Sequence, residues 1–416
     1  MHIDRPVLAW ALYDWANSVF AVVVLTTFFP LFFREYWAQG ISSAHTTFYL
    51  GTANASASLF IVVAAPFLGA VADQGGFKKR LLLFFASSGA ATTAAFFLVP
   101  PGEWFIAVSL FIVSTISWMS ANVFYDALLL DIASETQLDR VSAFGFALGY
   151  LGSGLMFAGC IWLTLNPQSV GLAGADEAVR ITFLITAAWW ACFTLPLMFF
   201  VHEKRRRQKV AVSGAALSGY HQLIDTFHDI RQLKPVLLFL AAYWLYIDGV
   251  DTIIRMAVDY GKAIGFDSKG LIKAVLITQF VAFPSALFFG WLGQRIGTRK
   301  AILIGIVAYA LMTVWASRMA QSWEFYALAA GIGLFQGGIQ SLSRSYYARI
   351  IPADKAAEFF GFYNMLGKFA AIIGPMMVGT VGVLSGDARL GMLSLLLLFF
   401  AGGILLALQA RFEERR

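Results

Sequence analysis

The stretch Gly69-Ala70-Val71-Ala72-Asp73-Gln74-Gly75-Gly76-Phe77-Lys78-Lys79-Arg80 returns in altered form as Gly290-Trp291-Leu292-Gly293-Gln294-Arg295-Ile296-Gly297-Thr298-Arg299-Lys300. Each copy lies between two long apolar runs. Glycines permit a tight turn against neighbouring helix ends. The basic residues hold such a turn at one face of a membrane. An acid such as Asp73 can cap a helix N-terminus or pair with a base on a neighbour. One turn used twice at matching places implies a chain built from repeated units.

Composition sets the medium. The 416 residues are 59% hydrophobic and 13% charged, with a mean hydropathy of +0.72, whereas a soluble chain carries about 25% charge. This is the composition of a polytopic membrane protein whose partner is the lipid bilayer. An aromatic content of 16% suits lipid-facing and interfacial surfaces. The net charge of +6 sits in short loops, which topology explains better than nucleic-acid binding. Cys160 and Cys192 fall inside apolar runs and form neither a disulfide framework nor a zinc site. His2, His45, His202, His221 and His228 all lie outside the long apolar runs, which argues against a buried metal centre or a histidine proton relay. No small-residue cleavage site follows the first run, so it reads as a retained span.

Apolar runs of spanning length number twelve, at about 7–36, 47–71, 81–99, 104–130, 142–165, 180–201, 236–260, 270–292, 301–319, 324–347, 358–384 and 389–410. Lys and Arg concentrate in the loops on the side of the N-terminus. The positive-inside rule then places both termini in the cytoplasm. The longest loop divides the chain into 1–201, a linker of 202–234 and 235–416. In the linker, Leu217, Tyr220, Leu223, Ile224, Phe227 and Ile230 recur at helical spacing, as in an amphipathic helix on the membrane surface or a plain connector. Spans 3, 6, 9 and 12 have no charge in their interiors and suit lipid contact. Spans 1, 4, 7 and 10 hold Asp14, Asp126, an acidic stripe and Arg344, and span 11 adds Lys368. Period-three charge implies a three-helix unit used four times, the plan of secondary transporters.

The acidic stripe runs from Tyr246 to Tyr260. On a helix, Asp248, Arg255 and Asp259 fall within about 40° of one another, and Asp251 about 60° to one side. Charges at membrane depth face protein or a water-filled cavity. The first-half counterpart is Leu12-Tyr13-Asp14-Trp15-Ala16-Asn17-Ser18. A third match pairs Phe144-Gly145-Phe146 with Phe360-Gly361-Phe362, each at the start of a fifth span.

These loops resemble the repeated cytoplasmic motif of the major facilitator superfamily. Within it, YDWANSVF, YIDGVDTI and the run from GGIQSLSRSYYARIIP to AEFFGFYNMLGKFAAIIGP resemble the vacuole-effluxer-like family, over nearly the whole chain. The resemblance implies an all-α membrane protein with twelve helices in two pseudo-symmetric six-helix bundles, working by alternating access. Fungal members are amino-acid effluxers linked to autophagy. Two departures stand out: Phe77 replaces a basic residue, and Gln294 replaces the acid of the second copy. The first copy, with Asp73, Gly76, Lys78 and Lys79, is therefore the expected gate.

The chain has no phosphate-binding loop, so a proton or other ion gradient is the expected energy source, with no cofactor and no enzymatic reaction. Asp248 and Asp251 lie nearest mid-membrane and rank first for coupling; Asp14, Asn17 and Asp126 belong to the same pathway or to a polar network beside it. Arg255 and Lys368 would balance the acids or bind an anionic group, so a site of both signs suits a zwitterion. Asn122, Gln336, Gln340 and Asn364 add hydrogen-bonding groups or hold helices together. Asp73, Asp131 and Arg344 are expected to form a latch at the cytoplasmic ends of the helices. The reading is a monomeric secondary transporter of a small metabolite in a bacterial inner membrane. The alternatives are another substrate class (sugar, peptide, drug or lipid-like) or a receptor on the same fold.

Overall fold

The computed structural model describes residues 3–204, 233–263, 268–319, 321–369 and 373–413. The linker helix expected at 217–230 lies outside them, as do the side chains of Arg255, Asp259 and Lys368. Every regular element among the described residues is helical.

The first half holds α1 (Arg5–Trp37), α2 (Ser43–Gly75), α3 (Lys78–Leu98), α4 (Trp104–Ile132), α5 (Leu138–Leu165) and α6 (Ala175–Phe200). The second holds α7 (Lys234–Ala263), α8 (Ser268–Ile296), α9 (Thr298–Ala316), α10 (Ser322–Ile350), α11 (Ala356–Phe369), α12 (Ile373–Ser385) and α13 (Arg389–Ala410). Among the described residues, ten helices are long and apolar enough to cross a membrane. α10 is not one of the ten, because it carries Gln336, Gln340, Arg344 and Arg349. The eleventh expected span is described on either side of residues 370–372, as α11 and α12.

The halves meet through α5 against α8 and α10, and through α11 against α2 and α4. The loop glycines explain why such packing is permitted. A Cβ on Gly69 of α2 would collide with the Ala357 carbonyl and the Glu358 Cα of α11. A Cβ on Gly290 of α8 would stand 2.5 Å from Ala143 Cβ on α5. The first glycine of each loop copy is thus where the opposite half comes closest. The later glycines, Gly76 (φ 63°) and Gly297 (φ 94°), make the turns.

The charge-free spans α3, α6, α9 and α13 carry large exposed apolar side chains, among them Phe84, Phe199, Leu311 and Phe400. They pack in pairs, α3 with α6 and α9 with α13. Each half closes its pair alike on the face away from the basic loops. Arg180 donates to the Phe97 carbonyl at 3.0 Å through Nε, and Arg389 to the Met319 carbonyl at 2.8 Å. α1 includes π-helical turns at Phe20–Phe28 and Phe33–Trp37.

Candidate functional site

α1, α4 and α5 of the first half and α10 and α11 of the second converge on one buried guanidinium. Arg344 is 2% exposed. Its Nη1 lies 3.1 Å from Asp126 Oδ1 and 3.6 Å from Asp14 Oδ2. Its Nε donates to Ser142 Oγ and its Nη2 to the Ser142 carbonyl, each at 2.9 Å. Ser142 Oγ in turn donates to the Ser341 carbonyl at 2.7 Å. The rings of Phe146, Trp10 and Tyr125 stand 4.2, 4.8 and 5.3 Å from the guanidinium carbon, so cation–π attraction adds to the ion pairs. Asn364 on α11 donates to Asp126 Oδ2 at 3.0 Å. The second half therefore grips Asp126 from two helices.

This placement corrects the expected latch. Arg344 lies against Asp126 and Asp14 rather than with Asp73 and Asp131. The reason is depth: it stands six residues before the end of α10, about 9 Å inward at 1.5 Å per residue, where only a buried acid offsets its desolvation. Asp131 pairs instead with Lys78 at 3.1 Å, and Asp73 lies 3.8 Å from the same ammonium. Asp73 Oδ2 also accepts the Glu358 backbone N–H at 2.9 Å, reaching the first turn of α11 in the other half. Gly76 is the left-handed cap of α2. Lys79 braces the chain after α6, through its N–H to Glu203 Oε1 at 2.6 Å and its Nζ to the Val201 carbonyl at 2.8 Å. Burial raises the Glu203 carboxyl above its ordinary pKa, against the hydrogen bond from Lys79.

Asp14 and Asp248 occupy matching environments. Asp14 Oδ1 accepts from Ser18, one turn on, at 3.0 Å, and a Cβ on Gly149 of α5 would stand 3.1 Å from it. Asp248 Oδ1 accepts from Thr252, one turn on, at 3.3 Å, and a Cβ on Gly374 would stand 2.8 Å from it. The difference lies in the third partner. Asp14 accepts from Tyr125 at 3.0 Å, whereas both oxygens of Asp248 lie 3.0 Å from the Gly374 N–H on α12. Asp248 is 1% exposed. Asp251 follows on α7, partly buried. Asn17 donates to Asn122 at 2.8 Å, and Tyr150 on α5 donates to Gln340 on α10 at 2.7 Å. Arg255 and Lys368 cannot be placed in the site, since their side chains lie outside the described residues.

Sequence reasoning missed Ser142, the aromatic box around Arg344, and a second charged corner. There Asp139 of α5 lies 3.2 Å from Arg349 of α10. The available signal was the acid five residues before Phe144 of the Phe144-Gly145-Phe146 repeat. No group of metal-ligating side chains occurs among the described residues.

A helical bundle in two related halves, with buried charge at their interface, defines a membrane transporter of the major facilitator fold. The solved proton:xylose symporter XylE bound to 6-bromo-6-deoxy-D-glucose superposes with a TM-score of 0.73 at 12% identity, covering 97% of this chain and 94% of that one. The model described as "Vacuole effluxer Atg22 like" matches residues 36–413, and the chain belongs to that family. An "Uncharacterized MFS-type transporter YxiO" of Bacillus subtilis (strain 168) is 40% identical over 401 residues, 96% of this chain and 93% of the relative. Autophagy-related protein 22-2 of Aspergillus clavatus is 24% identical over 295 residues, 65% of this chain and about half (48%) of the fungal protein. The Bacillus relative is named as a transporter.

Proposed function

We propose that the chain exports a small zwitterion of the amino-acid kind by alternating access, driven by protons. The observation that carries the reading is the ion pair between Arg344 and Asp126, from opposite halves, with Asp14 beside it. A proton on Asp126 removes the charge that holds Arg344 and lets the halves part on the basic side. Loss of the proton restores the pair and reseals that side. Carboxylate and guanidinium are then exposed together when the pair opens, which suits a ligand bearing both signs of charge. The family description supports efflux. The basic loops would face the cytoplasm of a bacterium, with a single chain as the working unit. Asp248, held by the Gly374 N–H, would position α12.

The test is amino-acid counterflow in proteoliposomes at two pH values. The expected result is exchange of at least one amino acid that changes with pH, with the pH response lost in Asp126→Asn. Exchange that keeps its pH response in Asp126→Asn would overturn proton coupling at this pair. No exchange of any amino acid would overturn the substrate class.

A further inference from the structure

The guanidinium of Arg344 belongs to the second half, but the rings and acids around it belong to the first. Trp10 and Asp14 stand on α1, Tyr125 and Asp126 on α4, and Phe146 on α5. Trp10, Tyr125 and Asp14 hold one another in place without the arginine. The Trp10 and Tyr125 rings stack at 4.4 Å and 14°, and the Trp10 indole donates to the Tyr125 carbonyl at 2.9 Å. The Tyr125 hydroxyl donates to Asp14 Oδ2 at 3.0 Å. Trp10 and Tyr125 are buried, whereas Phe146 is a partly exposed wall.

The Phe144-Gly145-Phe146 repeat explains the room for this box. A Cβ on Gly145 would stand 2.7 Å from Trp10 Cζ3 and 2.8 Å from the Tyr125 hydroxyl oxygen, so any side chain there would push the stack out of place. The matching Gly361 serves another purpose, since its Cβ would meet the backbone of Ala65 and Pro66 on α2. The repeat makes an aromatic box in the first half and a helix contact in the second.

We infer that Trp10, Tyr125 and Phe146, with Asp14 and Asp126, form a cation site of the first half, in which Arg344 stands in for the ammonium end of the transported zwitterion. Aromatic faces attract ammonium groups, bare or methylated, through the ring quadrupole. Withdrawal of Arg344 leaves two buried carboxylates beside those faces, and a buried charge without a partner is strongly destabilising. A proton on Asp126 neutralises one of them. Asp14 is then the counter-charge for an incoming ammonium, and the freed guanidinium suits the substrate carboxylate through paired N–H donors. Arg344 and an ammonium exclude each other from the box, so its occupancy is tied to the opening of the ion pair. The assignment rests on the alternating access of a zwitterion proposed above.

The test uses the purified full chain in nanodiscs with tetramethylammonium as the probe, a cation with no N–H donor and no carboxylate. Arg344→Ala empties the box, and tetramethylammonium should raise the melting point of that variant where sodium at the same concentration does not. In the unmodified protein, where Arg344 competes, the same rise should need at least about tenfold more probe. Phe146→Leu added to Arg344→Ala should weaken the response at least about tenfold, and Phe146→Tyr should keep it. A response no greater than that to sodium, or one that Phe146→Leu leaves unchanged, would overturn the assignment. If Arg344→Ala does not fold, equilibrium binding of radiolabelled tetramethylammonium to the unmodified chain and to Phe146→Leu decides. Affinity at least about tenfold lower in the variant is expected, and equal affinity or no binding to either would overturn the site. A ring-dependent cation response without exchange of any amino acid would keep the site and overturn the amino-acid substrate instead.

Discussion

Arg344 crosses from the second half of the chain to sit 3.1 Å from Asp126 of the first. Removing one partner strands the other in a buried site, which costs about 3–5 kcal/mol. Arg344→Gln should therefore lower the thermal stability of the purified protein sharply. The double variant Arg344→Gln/Asp126→Asn should recover part of that loss. Melting curves of the two single variants and the double variant, combined as a cycle, check this; additive losses would mean the two side chains do not interact.

Gly69 and Gly290 should act as steric limits on closure. Gly69→Ala places a methyl against the backbone of Ala357 and Glu358, and Gly290→Ala places one against Ala143. Neither site lies inside a single bundle, so the expected effect is on the distance between halves rather than on folding. Disulfide cross-linking of cysteines introduced on α2 and α11 should slow about tenfold in Gly69→Ala, given the steep repulsion of overpacked contacts. Unchanged cross-linking would show that the helices part without cost.

Asp248 should tolerate neutralisation better than Asp126. Asn at 248 keeps an acceptor for the Gly374 N–H and loses only the charge-assisted part of the bond, about 1 kcal/mol. The pH profile of transport in Asp248→Asn should match that of the unmodified protein. A flattened profile would move the coupling site to α7.

Glu203 gives a pH dependence of stability with a definite sign. Burial raises its pKa in the folded chain, so the folded state binds the proton more tightly than the unfolded state. Its contribution is most favourable at low pH and is lost as pH rises through the folded value. Glu203→Gln, a mimic of the protonated form, should melt higher than the unmodified protein at pH 7. The difference should vanish below about pH 4, near the ordinary glutamate value. A lower melting point at pH 7 would show that the ionised group is the stabilising one.

The repeat, the lipid-facing spans and the buried acids were legible in the sequence because each is a local pattern: glycines at fixed offsets, a period of three spans, isolated charges in apolar runs. What the sequence did not show is who faces whom across the interface. Arg344 looked like an end-of-span residue because its distance from the loop was the only cue, whereas its partners Asp14, Asp126 and Ser142 lie some two hundred residues or more away. Asp139 falls outside the run expected to begin at 142, whereas α5 begins at Leu138. Asp248 was legible as buried and polar, but its partner, the Gly374 N–H, lies 126 residues away.

The arginine ties on the far face carry a mechanical consequence. Arg180 fixes the start of α6 to the end of α3, and Arg389 fixes the start of α13 to the end of α9. Each lipid-side pair is thus hinged at one end and clamped into a strut. Force generated at the charged core by making or breaking an ion pair would be transmitted along a stiff member rather than dissipated in sliding helices, so each half would tilt in the bilayer as a single lever.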